Sequence, residues 1–114
     1  MNRNKLFIEE LLDLVPELRS VYDKHLENNG SLLQHVFMGD ATRFIIAEAS
    51  KSQNEILLQK LLNYLEAGLK QGEEVEELIV VSFVENLIDE KIALQVLKPL
   101  MGSNLRTQVE TICE

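Results

Sequence analysis

The chain has 114 residues, 46% of them hydrophobic, with 19 acidic and 11 basic side chains for a formal charge of -8. That apolar content excludes intrinsic disorder, and the length suits one domain, residues 1–114, with a core of its own. The acidity disfavours a nucleic-acid backbone as partner and favours a basic protein, which long-range attraction would steer toward it.

From Met1 to Glu10, Arg3 and Lys5 flank a brief Leu6-Phe7-Ile8 run that acidic residues interrupt, a pattern unlike a signal peptide. No uncharged apolar run approaches the roughly 18 to 20 residues of a membrane span. Cys113 is the sole cysteine, so neither an intrachain disulfide nor a multi-thiolate metal site can form, and it reads as a reduced thiol. These features predict a cytoplasmic protein.

Leu6, Leu11, Leu12, Leu14 and Val15 recur at near-helical spacing between Glu9, Glu10 and Asp13, which predicts an amphipathic first helix with Asn4 as its cap. Pro16 suits only a first-turn position and starts a second helix. Its apolar stripe is Leu18, Val21, Tyr22 and Leu26, and it stops at Asn28-Asn29-Gly30. Ser31 opens a third segment through Phe37 and Ile45 to about Ser50. Within it, Gly39-Asp40 offers a break with Asp40 as N-cap, against the alternative of a continuous helix.

Ser52 and Glu55 form a capping-box pattern ahead of Ile56, Leu57, Leu61, Leu62, Leu65 and Leu69, and Gln71-Gly72 closes that fourth helix. From Val75 to Ile88 the chain is apolar on nearly every side, and the valines within Leu78–Phe83 would also suit a strand. Helix is preferred because the segment is long and opens on glutamates. A further helix runs from about Glu90 to Leu97, a break follows at Pro99 to Gly102, and a last helix runs from Asn104 to Ile112. The expected class is all-α, a single-domain antiparallel helical bundle or a short helical-repeat-like stack of about six helices.

Chemistry-bearing patterns are sparse. His25 and His35 form neither a paired-histidine motif nor a Glu-x-x-His motif, so no metal and no cofactor are expected. His25, near a helix end, suits the dipole there. His35, Asp40 and Arg43 are close in sequence and would need to converge, with a nucleophile, to act in hydrolysis. The plainer expectation is that Asp40 caps a helix or pairs with Arg43 while His35 faces solvent. The serines lack a nucleophile-elbow context, and no phosphate-binding glycine motif occurs.

The clearest electrostatic feature lies between Glu66 and Lys91. Glu66, Glu73, Glu74, Glu76, Glu77, Glu85, Asp89 and Glu90 face only Lys70 and Lys91. Part of this suits a helix N-terminus, but adjacent carboxylates repel one another, and a basic partner would relieve that repulsion. Glu73, Glu74, Glu76, Glu77, Glu85, Asp89 and Glu90 are therefore the expected partner-binding residues, with His35 and Asp40 as secondary candidates. Glu85 and Asn86 also interrupt the apolar run, and if buried they must be paired.

Leu12–Val15 with Pro16-Glu17-Leu18, His35-Val36-Phe37-Met38-Gly39-Asp40, Val81-Ser82-Phe83-Val84-Glu85-Asn86-Leu87 and Leu100-Met101-Gly102 resemble an uncharacterised family of small bacterial all-helical proteins. The resemblance implies a helical fold and, by association with small acidic proteins of this kind, an immunity protein that blocks a cognate bacterial toxin. Together with the charge, it makes the expected partner a toxin with a basic surface, such as a nuclease, rather than nucleic acid or membrane. No enzymatic activity is expected. The alternative is a cytosolic helical adaptor or regulatory domain that binds another protein without a toxin partner.

Overall fold

The computed structural model describes residues 3–51 and 54–113 and is helical throughout, with no strand among the described residues. Helix α1 spans Arg3–Leu14 and buries Phe7, Ile8, Leu11 and Leu12; of the expected stripe, Leu11, Leu12 and Val15 are buried, while Leu6 is exposed and Phe7 and Ile8 take the inward positions one helical turn before Leu11. Asn4 does not cap it. The helix already includes Arg3, and Asn4 is buried in the first turn, its Oδ1 without a partner among the described residues. Val15, held extended by the following proline (φ -127°, ψ 81°), ends α1, and Pro16–Leu18 forms a 3-10 turn leading into α2, Arg19–Asn29. Gly30 closes α2 with a left-handed φ of 77°, and its N–H donates to the Leu26 carbonyl.

Helix α3, Gln34–Lys51, begins three residues after Ser31 and passes unbroken through Gly39 and Asp40. Asp40 is thus not a cap. Tertiary packing overrides the weak helix propensity of glycine here: α3 is the central element and packs against α1, α2, α4, α5, α6 and α7. Helix α4, Glu55–Gly68, is capped by Asn54, whose Oδ1 accepts from the Leu57 N–H at 3.2 Å. Ser52, which the sequence offers as the cap, lies outside the described residues. Gly72, with φ 122°, turns the chain into α5.

The doubtful apolar run is helical. Helix α5, Glu73–Ile79, continues through a π turn at Val80–Val84 into α6, Glu85–Leu87. The Glu85 N–H reaches the Val80 carbonyl, five residues back, as a π turn requires. Helix α7, Lys91–Leu97, a 3-10 turn at Lys98–Leu100 and helix α8, Ser103–Cys113, complete the chain.

One apolar core joins these elements around Phe37, Phe83, Leu58, Leu61, Leu62 and Leu65. In a repeat stack each unit touches only its neighbours. Here α1 reaches α5 and α3 reaches α7, so the repeat-stack alternative does not hold. No helix among the described residues is long and apolar enough to cross a membrane.

Candidate functional site

Two sequence segments far apart in the chain, His35–Asp40 and Val81–Leu87, meet where α3 packs on the π turn. Ser82 is buried at this seam. Its carbonyl accepts from Thr42 Oγ1 at 2.9 Å and from Asn86 Nδ2 at 2.8 Å, while Thr42 Oγ1 also lies 2.7 Å from the Met38 carbonyl. Wide turns disturb the regular ladder of helix hydrogen bonds, and these side chains supply contacts at the disturbed backbone. Above them, His35 Nδ1 lies 3.1 Å from Ser82 Oγ, and His35 Nε2 lies 4.0 Å from Glu77 Oε1.

The π turn makes this geometry possible. In a regular helix, residues five apart point about 140° away from each other. Glu77 and Ser82 nevertheless both meet His35, because the widened turn absorbs an extra residue. The same insertion acts on the outward face. Glu73, Glu77, Val81 and Glu85 are all exposed, and at regular spacing they would drift by roughly 120° around the axis; one absorbed residue reduces the drift to roughly 20°. The helix thus carries a nearly straight acidic stripe with a valine inside it.

Serine, histidine and glutamate in this order have the connectivity of a hydrolytic triad, but not its working geometry. Ser82 is 3% exposed, so its hydroxyl cannot approach a substrate. The histidine–glutamate separation of 4.0 Å exceeds a hydrogen bond. The contact set fastens α3 to the π turn.

His35 and Asp40 do not converge. Asp40 pairs with Arg43 on its own helix and turns its other oxygen to His25 Nδ1, 3.6 Å away, in a cleft of about 280 Å³ also lined by Val21, Lys24 and Asn28. His25 is buried with its Nε2 3.0 Å from the Leu33 N–H, a donor that requires an unprotonated acceptor. Its Nδ1 faces Asp40 and lies 3.2 Å from the Asn29 side-chain nitrogen, which donates to the His25 carbonyl at 2.9 Å. An aspartate–histidine pair whose second nitrogen is consumed by backbone has no free base to offer. Its role is to hold the α2–α3 connection.

The expected partner-binding residues share one environment. Glu73, Glu74, Glu76, Glu77, Glu85, Asp89 and Glu90 are all exposed. Apart from the His35 contact to Glu77, none of them has an ion-pair partner among the described residues. Glu85 and Asn86 are not buried, and Asn86 is satisfied by its own helix. Glu66, by contrast, belongs to a different structure: its carboxylate accepts from the backbone N–H groups of Asn104 and Leu105 and caps α8. No group of three potential ligands that could hold a metal occurs among the described residues.

A family model, the domain of unknown function DUF7674, matches residues 8–113. The chain belongs to this family. The matched span of the DUF7674 domain includes both segments of the α3–π seam and every expected partner-binding residue. Neither a curated protein nor a solved structure matches the chain. Sequence reasoning missed Thr42 and Ser82 as seam residues, because a serine or threonine inside a helix gives no local sign of a contact about 40 residues away.

Proposed function

We propose that this DUF7674 protein is a protein-binding inhibitor, an immunity protein that docks its acidic edge on the basic, substrate-binding surface of a cognate bacterial toxin. The observation that carries this reading is the placement of unneutralised carboxylates at both ends of one helix. At the N-terminus, Glu73, Glu74 and Glu76 complement the helix dipole and need no partner to explain them. At the other end, the dipole disfavours anions, yet Glu85 stands there, and Asp89 and Glu90 follow where the chain enters α7, all three exposed and without a basic partner among the described residues. The start of α7 accommodates Asp89 and Glu90, but no helix end accounts for Glu85, and a basic partner would remove the mutual repulsion of all three. A nuclease toxin suits the charge, since its substrate-binding surface must attract phosphates.

Co-expression with the protein encoded beside it tests the idea. Wild-type chain should rescue growth from a toxic neighbour, and the E85K/D89K/E90K variant should associate about tenfold or more slowly and lose most of the salt dependence. Rescue and association rates untouched by this variant, or by salt, would sink the acidic-edge mechanism. A non-toxic neighbour, with another protein captured on the same face, would replace the immunity reading with the adaptor one.

A further inference from the structure

Resting on the acidic-edge reading, we infer that the contact has an apolar centre at the α3–π seam, and that it receives a basic amphipathic helix of the partner. Val36 is 48% and Val81 43% exposed, whereas Val75 and Val84 on the same helix as Val81 are fully buried. His35, the chain neighbour of Val36, touches Glu77 and Ser82, and Ser82 is the chain neighbour of Val81. The two exposed valines therefore stand at the same level of the seam, one on each element, next in sequence to the two residues of the His35–Ser82 contact. Isolated exposed valines are ordinary; these stand within a line of carboxylates that the π turn keeps straight.

The occupant follows from charge and geometry. Glu73 to Glu85 spans about 18 Å of helix, roughly three turns. A partner helix laid along that stripe would present Lys or Arg at i, i+4 and i+11 to Glu73, Glu77 and Glu85, and an aliphatic residue at i+7, at the level of Val81. An extended segment would place successive side chains on alternate sides and match only half as many carboxylates. Desolvated aliphatic contacts at the centre with charges around them is also the usual anatomy of a specific interface.

The test uses two synthetic helical peptides of about 14 residues, each four turns long. Their lysines are identical, and the remaining face is leucine in one and serine in the other. Each is titrated into the labelled full chain at low salt and followed by amide and histidine resonances. The Lys/Leu peptide should bind about tenfold more tightly than the Lys/Ser peptide. It should perturb His35, Val36 and Val81, and the V36S/V81S variant should lose that tenfold advantage while binding Lys/Ser as before. Both valines are half-exposed, so the variant keeps its core, which an unchanged spectrum elsewhere verifies. Equal binding of the two peptides, or an advantage that V36S/V81S leaves intact, overturns the apolar centre and leaves the acidic edge standing. Failure of both peptides to bind overturns the acidic edge as well.

Discussion

A Cβ placed on Gly102 would lie 2.5 Å from Cδ of Glu66, so the absence of a side chain at Gly102 is what lets the Glu66 carboxylate reach the start of α8. That carboxylate accepts from Leu105 N at 2.7 Å and Asn104 N at 3.1 Å, two donors with no partner inside their own helix. The two residues form a single device. G102A should therefore destabilise by about 1–2 kcal/mol, by pushing the cap aside, and E66A by a similar amount. In a double-mutant cycle read by urea denaturation, G102A should cost far less in the E66A background. Additive losses would mean that Gly102 acts through something other than Glu66.

Gly39 presents the opposite case. It sits mid-helix in α3, buried, yet the nearest atoms to a Cβ there are those of Arg43 and Asn86 at 3.8–4.0 Å, ordinary contact distances. Its φ is not in the left-handed region, so neither space nor backbone demands glycine. G39A should raise stability by about 0.5–1 kcal/mol through the gain in helix propensity and the reduced freedom of the unfolded chain. A lower thermal midpoint would show that the close approach of Asn86 tolerates no added methyl group.

These two glycines mark the boundary of what the sequence reveals. Pro16 and Gly30 act on the backbone of their own segment, and the ends of α1 and α2 can be read from them. Gly39 looks the same in the sequence but is overruled by the helices packed around α3. The π turn is invisible for a different reason: with nearly every side apolar from Leu78 to Val84, no period marks an extra residue. The acidic segment from Glu73 to Glu90 is legible from charge alone. Glu66 counts in the sequence as part of the same acidic segment, because its partners, the amides of Asn104 and Leu105, are 38 and 39 residues away.

Tyr64 gives the fold a sensitivity to alkali. Its ring stacks on Phe7 with centroids 4.7 Å apart, and its hydroxyl donates to the Phe7 carbonyl at 2.7 Å. Burial, with the nearby Glu10 carboxylate adding to it, pushes the phenol well above the ordinary tyrosine range. The folded chain thus keeps a proton that the unfolded chain releases near pH ~10. The stabilisation is complete below that pH and is lost as the pH rises above it toward the folded value. Stability should fall above pH ~10 in the wild type and fall less steeply in Y64F, which also loses about 1 kcal/mol at neutral pH with the hydrogen bond. Ultraviolet titration should show Tyr64 ionising only as the fold opens; ionisation in the ordinary range with the fold intact would refute the assignment.

His25 offers a test of how the α2–α3 connection is held. Its ring is buried edge-on to Phe37, with centroids 5.8 Å apart, and its Nε2 is the acceptor for the Leu33 N–H just before α3. H25L keeps much of the volume but strands that donor, at a cost of about 1–3 kcal/mol. H25Q can still present an acceptor in its place and should lose less. Global stability alone would not separate lost packing from a lost hydrogen bond, so the decisive readout is hydrogen exchange at Leu33 itself. Its amide should exchange markedly faster in H25L than in H25Q, while amides in the centre of α4, remote from this connection, change only in step with global stability. Equal exchange at Leu33 in the two variants would show that the imidazole fills space here and anchors nothing.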